Sequence, residues 1–527
     1  MRSYLLFIFF VFSQHISAQH LFQKTYGNSD DDWFWSMEVV NDSDIFIAGY
    51  TRENAPNNNT ILLTRLDSSG NIEWSKSLYC LGGPSAYRML HLSNGTMLTT
   101  GSNYYGPVGV YNVLLINTDY SGNILWDRNW KNNETNSIFT SIESSNQNII
   151  SAGYIRYYDQ IDGGVKLIKT DLSGNLIWNR TYIVNYSAFG WDVAEKNNGN
   201  YVLSGSTSAT SNSSDYDMLL METDSTGNLL WAKAYGGFQE EYSANLVLTH
   251  DGGIIAATTS FSYDTSGFSD IIVIRTDSVG NVLWSKKFGG DKYEILRGML
   301  RDTSGNYLLY GSCGSFYPAF PGTGFVFKID DSGDLIWSRL YGTNTATYFF
   351  DAKQIHNQLI FCGQTRSPVS PTNLDGYLTR TDWFGNSGCN DTSVALNTED
   401  IIINTYNLSN TDSSESFIDT LPVVELPLTV VTNILCDSII GVNEIIVQDN
   451  ILLYPNPNDG KFLIASAVSE KIKKIEITNV LGQIISFNEK SIDDKIYVDI
   501  DEAVDGLYFI NLITENNKYS LKTIIQA

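Results

Sequence analysis

The sequence predicts an all-β chain, a seven-bladed β-propeller followed by a small antiparallel β-sandwich. Three observations predict it. An Asp-x-x-Gly-Asn or Asp-x-x-Gly-Asp turn recurs seven times, beginning at Asp67, Asp119, Asp171, Asp224, Asp277, Asp330 and Asp382, at spacings of 52, 52, 53, 53, 53 and 52 residues. A second register ends in Gly49, Gly101, Gly153, Gly205, Thr258, Gly311 and Gly363. Each period also holds four short apolar runs bounded by Gly and Asn, which read as strands. Four strands in about fifty residues is the period of a propeller blade.

Residues 1–18 read as a secretory signal peptide. Arg2 precedes the apolar run Tyr4 to Phe12, and cleavage is expected after Ala18. The run is too short to span a bilayer as a helix. No later stretch is longer and as apolar, so no integral membrane segment is expected in the mature chain.

Residues 19–389 form the predicted propeller. Within each repeat, named strands a to d, the Asp-x-x-Gly-Asn turn joins c to d. Asp caps the turn and Gly takes the left-handed position of a bulged hairpin. A Trp follows each Gly by four, except in repeat seven, where Cys389 stands in its place. Leu21-Phe-Gln-Lys-Thr-Tyr-Gly27 copies Leu230-Trp-Ala-Lys-Ala-Tyr-Gly236, a d strand with no repeat in front of it. Residues 20–27 are therefore expected to complete repeat seven and remove an open edge.

Strand a is expected to line the central channel. Thirteen residues before each Gly-register position stand Ser36, Arg88, Thr140, Asp192, Asn245, Gly298 and Phe350. One residue earlier stand Trp35, Tyr87, Phe139, Trp191, Ala244, Arg297 and Phe349. Period-two geometry would put the two sets on opposite faces. Arg88, Asp192 and Asn245 are candidate ligand contacts. The b–c loops are variable and aromatic, with Tyr104, Tyr105, Tyr157, Tyr158, Tyr263 and Tyr317 as further candidates. The bland alternatives are a water-filled channel and rings packed on one another.

Residues 390–445 hold nine acids and no Lys or Arg, with Pro422 and Pro427. They read as an acidic Asn/Ser/Thr-rich linker, a partly extended tether. Cys389 and Cys436 bracket it and are expected to form a disulfide in an oxidising compartment. Cys80, Cys313 and Cys362 are expected to be reduced core residues. The formal net charge is −25. Acidity in every segment argues against nucleic-acid binding.

Residues 446–527 regain alternating apolar runs, the expected sandwich. Tyr454-Pro455-Asn456-Pro457, Ile477-Thr-Asn-Val-Leu-Gly482, Asp505-Gly506-Leu-Tyr508 and Lys522-Thr-Ile-Ile525 occur in that order. This segment resembles the type A C-terminal sorting domain of the type IX secretion system. The resemblance implies the type IX machinery as partner and an outer-surface or extracellular destination. The turn itself is similar to the Asp-box of sialidase-like propellers and to the repeat of quinoprotein propellers, with different spacing.

No cofactor or metal site is expected: the cysteines lack zinc spacing, and no turn alternates oxygen ligands as a calcium loop does. The five histidines are scattered and no catalytic motif is present. The first expectation is a monomeric, non-enzymatic module that binds a glycan or protein. The others are a propeller glycoside hydrolase or lyase with acids near the channel mouth, and a structural or adhesion protein of the surface.

Overall fold

The computed structural model describes residues 19–28, 30–52, 60–105, 110–132, 134–157, 163–208, 215–264, 266–316, 322–342, 346–366, 368, 372–414, 416–419 and 422–440. In the C-terminal part it describes 451–454, 458–466, 472–479, 483–492, 495–500, 504, 506–513 and 518–525. The expected signal peptide lies outside them. Every described element is a strand, and no helix among these residues is long and apolar enough to cross a membrane. The chain divides into two units, one of Phe22–Asp437 and one holding Ser438–Ala527.

The first unit is all-β and propeller-like. In repeat one, Asp32–Val40, Asp44–Thr51, Thr60–Leu66 and Ile72–Tyr79 pair antiparallel in chain order. The following repeats keep that order. Strands b and c are largely buried because neighbours cover both faces; Ile254–Ser260 and Asp270–Thr276 are buried throughout. Strand d alternates, as Leu229–Gly236 does, because one face meets solvent. Repeat seven supplies Thr347–Ile355, Gln358–Arg366 and Leu374–Asp382. Gln19–Gly27 lies antiparallel beside the last of these, with Phe22 opposite Arg380 and Tyr26 opposite Gly376.

The turns also join repeats. Asp67 Oδ1 accepts from the N–H groups of Ser69 and Asn71, each at 2.8 Å. Gly70 sits at φ 75°, where a side chain is costly. A Cβ there would also meet Phe22 and Tyr26 at 2.8 Å. In the same way Trp74 covers Gly122 and Trp126 covers Gly174. Tyr26, Tyr182, Tyr235 and Tyr341 donate at 2.6–2.7 Å to the carbonyls of Gly70, Gly227, Gly280 and Gly385. The repeated Asp and Gly are thus structural, and the aromatic of strand d is the joint to the next repeat.

Residues 391–440 are not the loose tether that composition suggests. They run backwards past the repeats and add an outer strand to each d strand. Asp391–Ser393 pairs with Leu335–Tyr341, Asn397–Asp400 with Val282–Gly289 and Asn404–Asn407 with Leu229–Gly236. Asn410–Ser413 pairs with Leu176–Val184, Ile418–Asp419 with Ile124–Lys131 and Val424–Pro427 with Ile72–Tyr79. Val431–Ile440 then lies beside Gln19–Gly27. Apolar side chains pin this belt to the core, including Leu396, Ile403 and Val423. Composition misleads because an edge strand needs backbone N–H and C=O groups more than apolar side chains. Cys389 and Cys436 are joined as a disulfide, Cα atoms 6.2 Å apart, so the belt's two ends are linked. Cys80, Cys313 and Cys362 are free and buried.

The C-terminal unit has two antiparallel sheets. One orders Ile451–Tyr454, Lys461–Ser466, Lys495–Asp499 and Asn488–Ile492; the other orders Lys474–Asn479, Gly506–Ile513 and Lys518–Ile525. Phe462, Ile464 and Val498 from the first share one apolar cluster with Ile477, Tyr508, Ile510 and Ile525 from the second. Tyr508 also donates to the Val504 carbonyl at 2.9 Å. Tyr454, Gly506 and Lys522 lie on strands. Pro455, Asn456, Pro457 and Gly482 lie outside the described residues.

Candidate functional site

Strand a carries a β-bulge in every repeat, between Phe34 and Ser36 in the first and between Phe349 and Asp351 in the last. The bulge explains the Gly register on strand b. A Cβ on Gly49 would meet the Trp33 carbonyl oxygen at 1.7 Å, and one on Gly101 the Ser85 oxygen at 1.9 Å. The extra residue also breaks the period of two. Residues of both sets therefore line one cavity of about 280 Å³, among them Arg88, Thr140 and Asp192 with Tyr87, Phe139 and Trp191, instead of facing opposite ways.

The bulged residues form a collar. Trp35 lies 4.3 Å from Phe350 and 5.9 Å from Tyr87, ring centre to ring centre. Tyr87 lies 5.4 Å from Phe139, which stacks on Trp191 at 4.4 Å. The Arg297 guanidinium sits 5.7 Å from the Phe350 ring centre. All five rings are half-buried. Tyr154 stacks on Phe139 and meets Phe189, which meets Tyr216, so aromatic surface continues from the collar across neighbouring strands.

Repeat five breaks the collar. Thr258 replaces the register Gly, and its Oγ1 donates to the Tyr242 carbonyl at 2.9 Å. The bulge there widens to span Tyr242 to Asn245. Ala244 stands where other repeats place a ring or Arg297.

The polar positions mainly join repeats. Ser36 Oγ accepts from the Met89 N–H at 3.1 Å, Asp192 from Leu246 at 3.3 Å and Asp351 from Met37 at 3.0 Å. In each case the donor is strand a of the next repeat around. Arg88 lies 3.5 Å from Asp351. Burial pushes the Asp351 carboxyl up, but Arg88, Lys353 and these hydrogen bonds outweigh it and hold it below the usual range. For Asp192, burial prevails and the pKa is raised. Burial lowers the Arg297 pKa, although its side chain still reaches solvent. Among the described residues, no group of three or more His, Cys, Asp or Glu is placed to hold a metal ion.

Of the candidate residues, Arg88, Asp192 and Asn245 line the cavity. Tyr104 is 43% exposed and packs edge-on against Tyr111. Tyr263 is held by packing, its hydroxyl donating to the carbonyls of Gly236 and Ile402 of the belt. Tyr157 is half-buried. The Tyr105 side chain, Tyr158 and Tyr317 lie outside the described residues.

Counting thirteen residues back from the Gly misaligns repeat seven by one. Its a–b hairpin closes with Ile355 opposite Gln358, a tighter turn than Val40 opposite Asp44 in repeat one. Phe350 therefore belongs to the collar, and Asp351 is the missed polar residue. Aligning on the aromatic residue instead of the Gly finds both. Tyr310 was also missed: it fills the space a side chain on Gly298 would take, 2.3 Å from that Cβ.

Residues 452–526 match the family described as the secretion system C-terminal sorting domain. No curated protein sequence matches the chain. Among solved structures, a protein of unknown function from Dyadobacter fermentans DSM 18053 is similar at 13% identity and TM-score 0.42, over 69% of this chain and 99% of its own. The polysaccharide lyase Uly1 is similar at 9% and 0.43, over 70% and 100%. The Penicillium chrysogenum alpha-L-arabinanase is similar at 9% and 0.39, over 70% and 99%. The C-terminal segment of this chain is thus a sorting domain of the type IX secretion system, which sends the protein to the cell surface or the extracellular medium.

Proposed function

We propose that this protein is an exported, monomeric seven-bladed β-propeller that binds a glycan or protein ligand through its collar. Residues 1–18 are its signal peptide, and residues 446–527 form a β-sandwich that the secretion machinery reads. The observation that carries the reading is the collar itself. Five half-buried rings and one arginine surround a single cavity, whereas a packing core would bury them. Aromatic faces give binding area at low conformational cost.

The hydrolase or lyase reading has weaker support. It needs an acid free to act on a substrate, and Asp192 and Asp351 are both tied to backbone N–H groups of neighbouring strands. Binding of the purified full chain to arrayed glycans and peptides tests the proposal, with Trp35→Ala and Trp191→Ala as the variants that should lose the signal.

A further inference from the structure

We propose that the collar takes the acidic sugar at the end of a glycan chain, its ring against Trp191 and its carboxylate on Arg297. This rests on the binding reading above and names the class of ligand.

The argument starts from the break at repeat five. Ring contacts run without interruption from Phe350 through Trp35, Tyr87 and Phe139 to Trp191. From the other side, Arg297 rests against Phe350. In repeat five Ala244 is fully buried, and Asn245 is the residue of that repeat that lines the cavity. Repeat five, where Thr258 replaces the register Gly, thus leaves a gap in the series of large lining side chains. It is bordered by a flat aromatic face on one side and a guanidinium on the other, with an amide among the lining groups.

Arg297 differs from Arg88 in its partners. Arg88 faces Asp351, and Asp192 adds a second negative group near it. Arg297 pairs with no carboxylate among the described residues; the groups that face it are the phenols of Tyr242 and Tyr348. The Arg297 side chain is exposed, so its guanidinium is open to an incoming ligand. A carboxylate can meet it with two parallel N–H···O bonds on the planar guanidinium.

Two further facts narrow the ligand. The cavity, at about 280 Å³, lies at the small end of ligand sites, so one sugar unit fills it. The chain carries a net charge of −25, which repels a long polyanion. One carboxylate on a terminal ring avoids most of that repulsion.

The test titrates the full chain with methyl β-D-glucuronide, methyl β-D-glucoside and acetyl-Ala-Ala, following tryptophan fluorescence. The glucuronide is expected to bind at least tenfold more tightly than the glucoside. Arg297→Gln should reduce that ratio about tenfold while Arg297→Lys keeps part of it, and Trp191→Ala should weaken both sugars. Unchanged melting temperatures show that the variants are folded. Equal binding of the two sugars, or a preference that survives Arg297→Gln, overturns the proposal while the collar-binding reading stands. Tighter, Arg297-dependent binding of acetyl-Ala-Ala overturns the sugar assignment in favour of a peptide terminus. If none binds and no arrayed ligand depends on Trp35 or Trp191, both readings fail.

Discussion

The hydroxyl of Ser36 donates a 2.8 Å hydrogen bond to the carboxylate of Asp351, which lies 315 residues later in the chain. The bond joins the first repeat to the last. Asp351 also takes the Met37 N–H, and Ser36 in turn accepts from Met89 in the second repeat. One position on strand a therefore links three successive repeats beside the collar.

Asp351→Ala should destabilise the repeat unit by on the order of 2 kcal/mol, since it leaves the buried Ser36 hydroxyl and Met37 N–H without their acceptor and removes the carboxylate facing Arg88. Asp351→Asn should cost less, because the amide oxygen can still accept one bond. Denaturant unfolding of the two variants checks the order. Equal, near-zero effects would show that the first and last repeats are held together elsewhere.

The belt gives a second prediction. Cys389 and Cys436 close a separation of 47 residues, worth on the order of 4 kcal/mol in the chain-entropy account, as an upper figure. Cys436→Ser should lower the melting temperature and raise amide exchange across residues 397–427. Core strands such as Ile254–Ser260 should stay protected. Exchange that rises equally everywhere would mean that the belt is not a separable layer.

Stability should also depend on pH. Burial pushes the Glu241 carboxyl up to about 7 and the Glu294 carboxyl up to about 7. Asp217, beside Glu241, is raised to about 6. A carboxyl raised in the fold contributes stability that is complete below its unfolded pKa and is lost as pH rises through the folded value. The melting temperature should therefore fall between about pH 5 and pH 8. Glu241→Gln should flatten part of that slope, by on the order of 2 kcal/mol at pH 8. A melting temperature that rises over this range would contradict the assignment.

Much of this was legible in the sequence because the repeat is rigidly spaced. A fixed turn, Gly opposite each bulge and Trp against the next turn left residues that count directly. The bulge itself was not legible. It puts Tyr87 and Arg88 into the same cavity, where a regular strand would separate them. The belt was hidden because its pairing uses backbone groups, so Asn404–Asn407 reads as loose chain although it is an edge strand. Thr258, the one exception in the Gly register, was visible from the start, and it marks the repeat where the collar opens.

Export follows from the C-terminal unit. Deleting residues 446–527 should leave a folded repeat unit in the periplasm, and fusing them to an unrelated periplasmic protein should carry that protein outside. Cell fractionation with a periplasmic marker decides it. A truncated protein that reaches the medium of intact cells would show that the address lies elsewhere.

Which surface binds is the central question, and an array comparing two sets of variants answers it. One set removes collar rings, Trp35→Ala and Trp191→Ala. The other changes exposed apolar residues of strand d, Leu125→Ser and Leu230→Ser, which are each 53% exposed. The account predicts that the full chain binds at least one arrayed glycan or peptide, that the collar variants lose it at unchanged melting temperature, and that the strand d variants retain it. Retention by the collar variants with loss in the strand d variants would contradict it.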